Sequence, residues 1–251
     1  MRVIGLTVGP IEENTYVAAD PASGTCVVVD PGAEPERILA AVREAGGSQA
    51  RVVAIVLTHA HLDHVGAVAE LRERTRARVW LHPDDAPLYR AAPEEARAFG
   101  WSFPTPPEPD APLADGGELA VGGVTLRVRH APGHSPGHVV LVGVGAAFVG
   151  DCIFAGSIGR TDLPGGDGRA LLRSIERTIL SLPDETVLYP GHGPATTVGR
   201  ERATNPFLVG LGGERRCVKC DAPLPKPPRG CRKAPCPNCA HLYPVGDCSD
   251  A

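Results

Sequence analysis

The apolar run Val52-Val53-Ala54-Ile55-Val56-Leu57 leads straight into Thr58-His59-Ala60-His61-Leu62-Asp63-His64, and this junction constrains the chain more than any other segment. The run is short, rich in β-branched residues and free of polar interruptions, so it predicts a buried strand. Three imidazoles and a carboxylate crowded at the end of a strand cannot all enter a core. They can gather around a metal ion without help from distant parts of the chain. Only nine His occur in 251 residues, so a solvated loop that is His-rich by accident explains the spacing poorly. The turn predicts a metal site.

The length allows one large domain, or one domain with a small appendage. Aromatic residues make up only 4% of the chain, so the core has to be built mainly from Val, Leu, Ala and Ile. A net charge of −4 gives no general attraction to nucleic acid or to anionic membranes. That charge is unevenly spread: residues 214–251 carry seven Lys/Arg against four Asp/Glu, a net of +3, and the rest of the chain carries −7. The N-terminus lacks the apolar region and cleavage site of a secretory signal, and no run approaches the ~18 apolar residues of a membrane span. Of the eight Cys, six lie after residue 216. Without an export signal, the expectation is a reduced, cytoplasmic chain that binds metal through thiolates.

Residues 2–8, 15–19 and 25–30 are strand-like and separated by Gly9-Pro10, Asp20-Pro21 and Pro31-Gly32. A helix is predicted over 35–45, with Pro35 in its first turn and Gly46-Gly47 as its stop. The strand at 52–57 is followed by a helix over 64–74, a strand at 77–81 and a short helix near 84–90. Residues 104–112 contain five Pro and predict a rigid surface loop or lid. Strands are predicted at 118–130, turning at Gly122-Gly123, and at 138–149. A helix near 168–180 then leads to a strand at 186–189. Strands with a helix, repeated once, fit two sheets packed face to face with helices outside.

Three more loops place a ligand-type residue at a strand end: Ala131-Pro132-Gly133-His134, Gly150-Asp151 and Pro190-Gly191-His192-Gly193. Each is weak alone; together with the first turn they are strong. The set His59-x-His61-x-Asp63-His64, His134, Asp151 and His192 resembles the metallo-β-lactamase fold superfamily. The resemblance implies an αββα sandwich (an α/β, or α+β, fold) with the site at one edge between the sheets. It implies that His59, His61 and His134 hold one divalent ion, that Asp63, His64 and His192 hold a second, and that Asp151 bridges them. Two such ions about 3.5–4 Å apart can share a hydroxide that is reactive near neutral pH. Asp63 supplies a hard oxygen ligand that suits Zn, Fe or Mn. Asp63 and Asp151 are accordingly the catalytic carboxylates. His82, His130, His138 and His241 have no assigned ligand role; His138 is expected to support the ligands, and Cys152 to be a small buried residue.

A narrower resemblance runs through Gly150–Asp167 and Tyr189–Phe207, which are similar to the short bacterial glyoxalase II branch, the hydroxyacylglutathione hydrolase-like proteins. It covers roughly residues 1–208 and implies hydrolysis of a small thioester, in which the metal hydroxide attacks the carbonyl and a thiolate leaves. Arg160 and Asp162, in Gly159-Arg160-Thr161-Asp162, are the candidate substrate contacts. The C-terminal helical region that holds glutathione in full-length glyoxalase II is not matched by the residues after 208. The rival within the fold is a persulfide dioxygenase, a mononuclear iron enzyme of sulfur metabolism, whose relatives also carry the Gly-Arg-Thr-Asp segment.

The chain divides into a hydrolase domain over 1–210 and a tail over 214–251. In the tail, Cys217-x2-Cys220 and Cys236-x2-Cys239 have the spacing of a four-thiolate zinc ribbon, with rubredoxin-like iron as the alternative. Such a knuckle folds only when metal binds. Tyr243 is the tail's one aromatic residue, which disfavours stacking on nucleic acid. The tail is instead expected to be a structural ribbon or to dock a protein partner.

Overall fold

A computed structural model describes residues 1–208, together with the backbone of two short strands near the C-terminus. In chain order the elements are β1 (Arg2–Val8), β2 (Glu13–Asp20), β3 (Thr25–Val29), α1 (Pro35–Gly46), β4 (Arg51–Val56), α2 (Leu62–Val65), α3 (Val68–Thr75), β5 (Arg78–Leu81), α4 (Ala86–Ala98), β6 (Ala111–Pro112), β7 (Glu118–Val121) and β8 (Val124–His130). There follow β9 (Val139–Gly143), β10 (Ala146–Gly150), the two-residue hairpin strands β11 (Ile153–Phe154) and β12 (Ser157–Ile158), α5 (Gly168–Ser174), β13 (Val187–Pro190), β14 (Thr196–Thr197) and α6 (Val198–Thr204). The last two strands, β15 (Lys233–Pro235) and β16 (Leu242–Pro244), pair with each other antiparallel. The four tail cysteines Cys217, Cys220, Cys236 and Cys239, and His241, lie outside the described residues.

Two six-stranded mixed sheets form, in the orders β1-β2-β3-β4-β5-β6 and β14-β13-β10-β9-β8-β7. Alternation along the strands sorts side chains between layers. In β3, Val27 and Val29 enter the core between the sheets, while Cys26 and Val28 face the helices α1 and α3. In β10, Phe148 points between the sheets and Ala147 and Val149 meet α5 and α6. The result is a helix–sheet–sheet–helix sandwich, the αββα arrangement expected. Each fully buried Leu, Ile or Phe in these three clusters contributes about 1.5–3 kcal/mol. Aliphatic residues supply nearly all of them, as the low aromatic content required.

Several predicted elements differ in detail. The helix expected over 64–74 is split into α2 and α3, because the backbone at Gly66 packs against the Gly32 carbonyl where any Cβ would strike. The amide of Ala67 is drawn out of the helix to donate to the Pro31 carbonyl at 2.9 Å. The short helix near 84–90 continues to Ala98 with Pro93 inside it, since Tyr89, Ala92, Pro93 and Ala96 form one buried face. Residues 138–149 make a hairpin, β9 and β10. The helix near 168–180 is α5 followed by a wider turn over Ile175–Ile179. The Pro-rich segment is tied down: Tyr89 donates to the Pro107 carbonyl, and Asp110 accepts from the Val79 amide and the Arg72 guanidinium. No helix among the described residues is long and apolar enough to cross a membrane.

Candidate metal centre

Strand β4 runs out at Val56, and the next residues are held by a buried carboxylate. Asp30 accepts from the Thr58 amide at 2.7 Å and from the Thr58 hydroxyl at 2.6 Å. With its proton committed to Asp30, the Thr58 oxygen accepts from His59 Nδ1 at 3.1 Å, so His59 offers Nε2 to the site. His134 is fixed in the same sense. Its Nδ1 donates to the Arg160 carbonyl at 2.8 Å, which leaves Nε2 3.2 Å from His59 Nε2 and 2.8 Å from His61 Nδ1. The turn that carries His134 comes close to α5: Gly133 has φ 140°, and a Cβ there would collide with Leu171.

A second set converges beside the first. His192 Nε2 lies 3.2 Å from Asp63 Oδ2, and its Nδ1 donates to the Glu12 carbonyl at 3.3 Å. His64 Nε2 lies 3.5 Å from Asp63 Oδ2. The donor atoms of His59, His61 and His134, and those of Asp63, His64 and His192, each fall within 4.8 Å of one another. Asp151 stands between the sets: Oδ2 is 3.5 Å from His134 Nε2 and 3.7 Å from His192 Nε2, and Oδ1 is 3.6 Å from His64 Nε2. The sheet register explains this meeting of distant segments. β10 and β13 are parallel neighbours with Gly150 opposite Pro190, so Asp151 and His192 leave adjacent strand ends together.

The donor set fits metal ions. Buried polar atoms in folded proteins are normally paired. Among the described residues, the buried side-chain N and O atoms without a hydrogen-bond partner are Glu13 Oε1, both ring nitrogens of His64 and Asp151 Oδ1, all in this one place. A cation accepting the lone pairs of His64 Nε2 and Asp151 Oδ1 would satisfy two of them. It would leave a proton on His64 Nδ1, which faces Asp30 at 3.3 Å and Glu13 at 3.8 Å, the carboxylate support usual for ligating imidazoles.

The electrostatics of the two sets differ. Burial, reinforced by neighbouring imidazoles, drives His59 well below the ordinary histidine range and takes His61 down to about 4. Burial likewise takes His134 down to about 4. For His64 burial opposes protonation, yet Asp63 and Asp151 override it and push the ring well up. His192 is also raised against the effect of its burial, by Asp63 and Asp151. Asp63 is lowered against its burial by His64 and His192. Burial raises Asp151 over the opposing pull of His64 and His192, and raises Glu13.

The structure therefore brings together all seven residues expected as ligands. Arg160 and Asp162 form a bidentate pair on the surface, and Arg160 reaches the site through its backbone carbonyl. His138 is a buried support: its Nε2 accepts from the Asp151 amide at 3.1 Å. Cys152 is buried, and burial pushes its thiol far up. His82 and His130 stack face to face at 4.2 Å and 4° with Asp84 nearby. Parallel rings do not aim two lone pairs at one point.

Three supporting carboxylates escaped the sequence reading. Asp30 had a usable signal, because it ends the apolar strand Cys26–Val29 just as Asp151 ends β10. Glu13 sits in an ordinary-looking Glu12-Glu13 pair and had none. Asp85 also had none. It is fully buried and ties two ligand-bearing turns together, accepting from the Ala60 amide at 3.1 Å, the Ser135 hydroxyl at 2.7 Å and the Gly137 amide at 2.5 Å.

An αββα sandwich with metal-ligand sets at the strand ends between its sheets defines a class of metal-dependent hydrolases. Residues 8–192 match the model of the metallo-beta-lactamase superfamily, and the chain belongs to that superfamily. It is 38% identical to the protein named hydroxyacylglutathione hydrolase GloC of Haemophilus influenzae, over 72% of this chain and 86% of that one. The crystal structure of TTHA1623 in a di-iron-bound form is similar at 48% identity and a TM-score of 0.73, covering 82% of this chain and all of the other. That of the BLEG-1 B3 metallo-beta-lactamase is similar at 38% identity and a TM-score of 0.76, covering 83% of this chain and all of the other.

Proposed function

We propose that the protein is a thioester hydrolase of the glyoxalase II type that works with two divalent ions, Zn, Fe or Mn. The observation that carries the reading is the Asp151 carboxylate standing between two three-residue ligand sets. The likeness to a protein named hydroxyacylglutathione hydrolase supports the thioester, and the di-iron form of TTHA1623 supports a metal pair. His59, His61 and His134 would hold one ion and Asp63, His64 and His192 the other, with Asp151 shared. Bound there, the ions would polarise the substrate carbonyl and lower the pKa of water.

The rest is done by the chain. Thr58 and the Arg160 carbonyl hold His59 and His134 with Nε2 facing inward. Asp85 keeps the turn bearing His59 and His61 in register with the turn bearing His134. In the reaction water adds oxygen to the carbonyl carbon, the C–S bond breaks and sulfur leaves as a thiolate. A thiolate leaves readily, so no dedicated general acid is required. Arg160 and Asp162, beside the His134 turn, are assigned to the polar part of the substrate.

Metal analysis paired with turnover of S-lactoylglutathione and of glutathione persulfide tests the reading. Two metals per chain with hydrolysis of the thioester is the expected result. One iron per chain with oxygen consumption on the persulfide overturns it in favour of a persulfide dioxygenase. For the tail we assign Cys217, Cys220, Cys236 and Cys239 to one structural zinc or iron and the +3 segment to docking a protein, in a cytoplasmic enzyme. Removing residues 214–251 should then leave hydrolysis intact and abolish partner binding; loss of turnover would place the tail in the active site instead.

A further inference from the structure

Beside the Asp63 edge of the metal centre lies a cleft of about 270 Å³. Its walls include the β1–β2 turn with Ile11, Leu62 and Asp63 in α2, and Trp101 and Phe103 of the segment leading into the Pro-rich loop. Ile11 is 47% exposed and presents its side chain at the mouth of an otherwise largely apolar lining that includes Val8, Leu62, Trp101 and Phe103. The β1–β2 wall is joined to the metal centre through backbone: the Asn14 amide donates to the Gly191 carbonyl at 2.7 Å, and the Glu12 carbonyl holds His192. The cleft thus adjoins the metal centre and shares Asp63 with it. Its volume is below the ~300–1,000 Å³ that takes a whole small ligand, so it suits part of one.

The chemistry of the lining selects which part. Its ionisable side chains, Glu13, Glu34, Asp63 and Glu70, are all carboxylic acids, and it contains no Lys, Arg or His. Arg37 and Arg74, which pair with Glu34 and Glu70, are not among the lining residues. Away from the Asp63 edge, a carboxylate or phosphate entering the cleft would lose water without gaining a cationic side chain, an expensive exchange. Glutathione carries carboxylates, so its thiol half does not suit this space. We propose that the cleft binds the acyl half of the thioester and that the acyl group is an apolar chain without a terminal charge. This rests on the thioester-hydrolase reading and adds the substrate class to it.

The test is kcat/KM of the metal-loaded full-length protein on N-acetylcysteamine thioesters of acetyl, butyryl, valeryl, hexanoyl and succinyl groups. The expected result is a rise of about fourfold per methylene taken out of water, with succinyl at least tenfold below valeryl. Ile11→Asp and Trp101→Ala should each cut the hexanoyl-to-acetyl ratio about tenfold. A flat series, or succinyl equal to valeryl, overturns the cleft assignment. A second readout separates this from failure of the hydrolase reading: emission of Trp101, one of two Trp in the chain, on binding the non-hydrolysable ketone S-(2-oxooctyl)-N-acetylcysteamine. A blue shift that is lost in Trp101→Phe supports an apolar occupant, even if no thioester is turned over and the hydrolase reading falls. Unchanged emission on saturation overturns the cleft whatever the turnover.

Discussion

The two ligand sets share the turn at 59–64, yet they are built on opposite principles. His59, His61 and His134 form an all-imidazole cluster stripped of protons by burial, with His59 and His134 each oriented by a hydrogen bond from Nδ1. Asp63, His64 and His192 form a charged cluster in which carboxylate and imidazoles stabilise each other's ionised forms, and neither ring nitrogen of His64 has a hydrogen-bond partner. The first set is preorganised to take a cation; the second holds protons more tightly, and a cation must compete with them. Asp151 belongs to both, so its loss should erase the distinction. Asp151→Ala is expected to leave neither ion tightly held and to lower turnover by on the order of 10³-fold or more, since metal activation is worth several kcal/mol. Metal content after gel filtration checks this, with circular dichroism to confirm the fold.

Asp63→Ala breaks the comparison from one side. It removes the carboxylate from the second set and touches none of the first, so one metal per chain should be retained. Turnover should fall about 10²-fold, a cost of roughly 2.7 kcal/mol. Full activity with a single metal would refute a two-ion mechanism.

Asp85→Ala acts from the other side, through residues that bind no metal. Three donors would lose their acceptor: the Ala60 and Gly137 amides and the Ser135 hydroxyl. Because these flank His59, His61 and His134, the imidazole set should loosen first. Supporting residues of this kind typically cost 10–100-fold in metal affinity, and competition with a chelator should find that loss in the first equivalent. An unchanged first equivalent would mean that the two turns hold their own shape.

How these elements were foreseen follows the same division. Four ligands sit within one turn, so spacing alone revealed them. Asp151 and His192 were visible as strand-end residues, but their adjacency comes from the parallel pairing of β10 with β13, which no local pattern records. Asp85 was invisible because its role depends on hydrogen bonds to residues 25, 50 and 52 positions away. Most strands were legible because each alternates or runs apolar over its length. The break between α2 and α3 was not, since it arises from contact between Gly66 and Gly32. α6 was missed for a similar reason: it is short, and its N-terminus is marked only by Thr197 capping the Arg200 amide.

The smallest expected effect sharpens the comparison by counting protons. Metal binding releases whatever protons its ligands hold. At pH 7, His61 and His134, both near 4, hold none, whereas His64 and His192 are raised above the ordinary value of 6.5. The second equivalent should therefore release more protons on binding than the first. Lowering the pH by one unit should weaken the second more than the first, by about tenfold for each proton released. Calorimetry in buffers of different ionisation enthalpy measures this directly. The same shifts act with opposite sign on the stability of the metal-free protein. Depressed imidazoles cost stability as pH falls from about 6.5 toward 4, where the unfolded chain takes up protons that the folded one refuses. Raised His64 and His192 contribute stability below about 6.5 that is lost as pH rises through their folded values. Equal proton release for the two equivalents would show that the cation, rather than the protein, decides the character of each set.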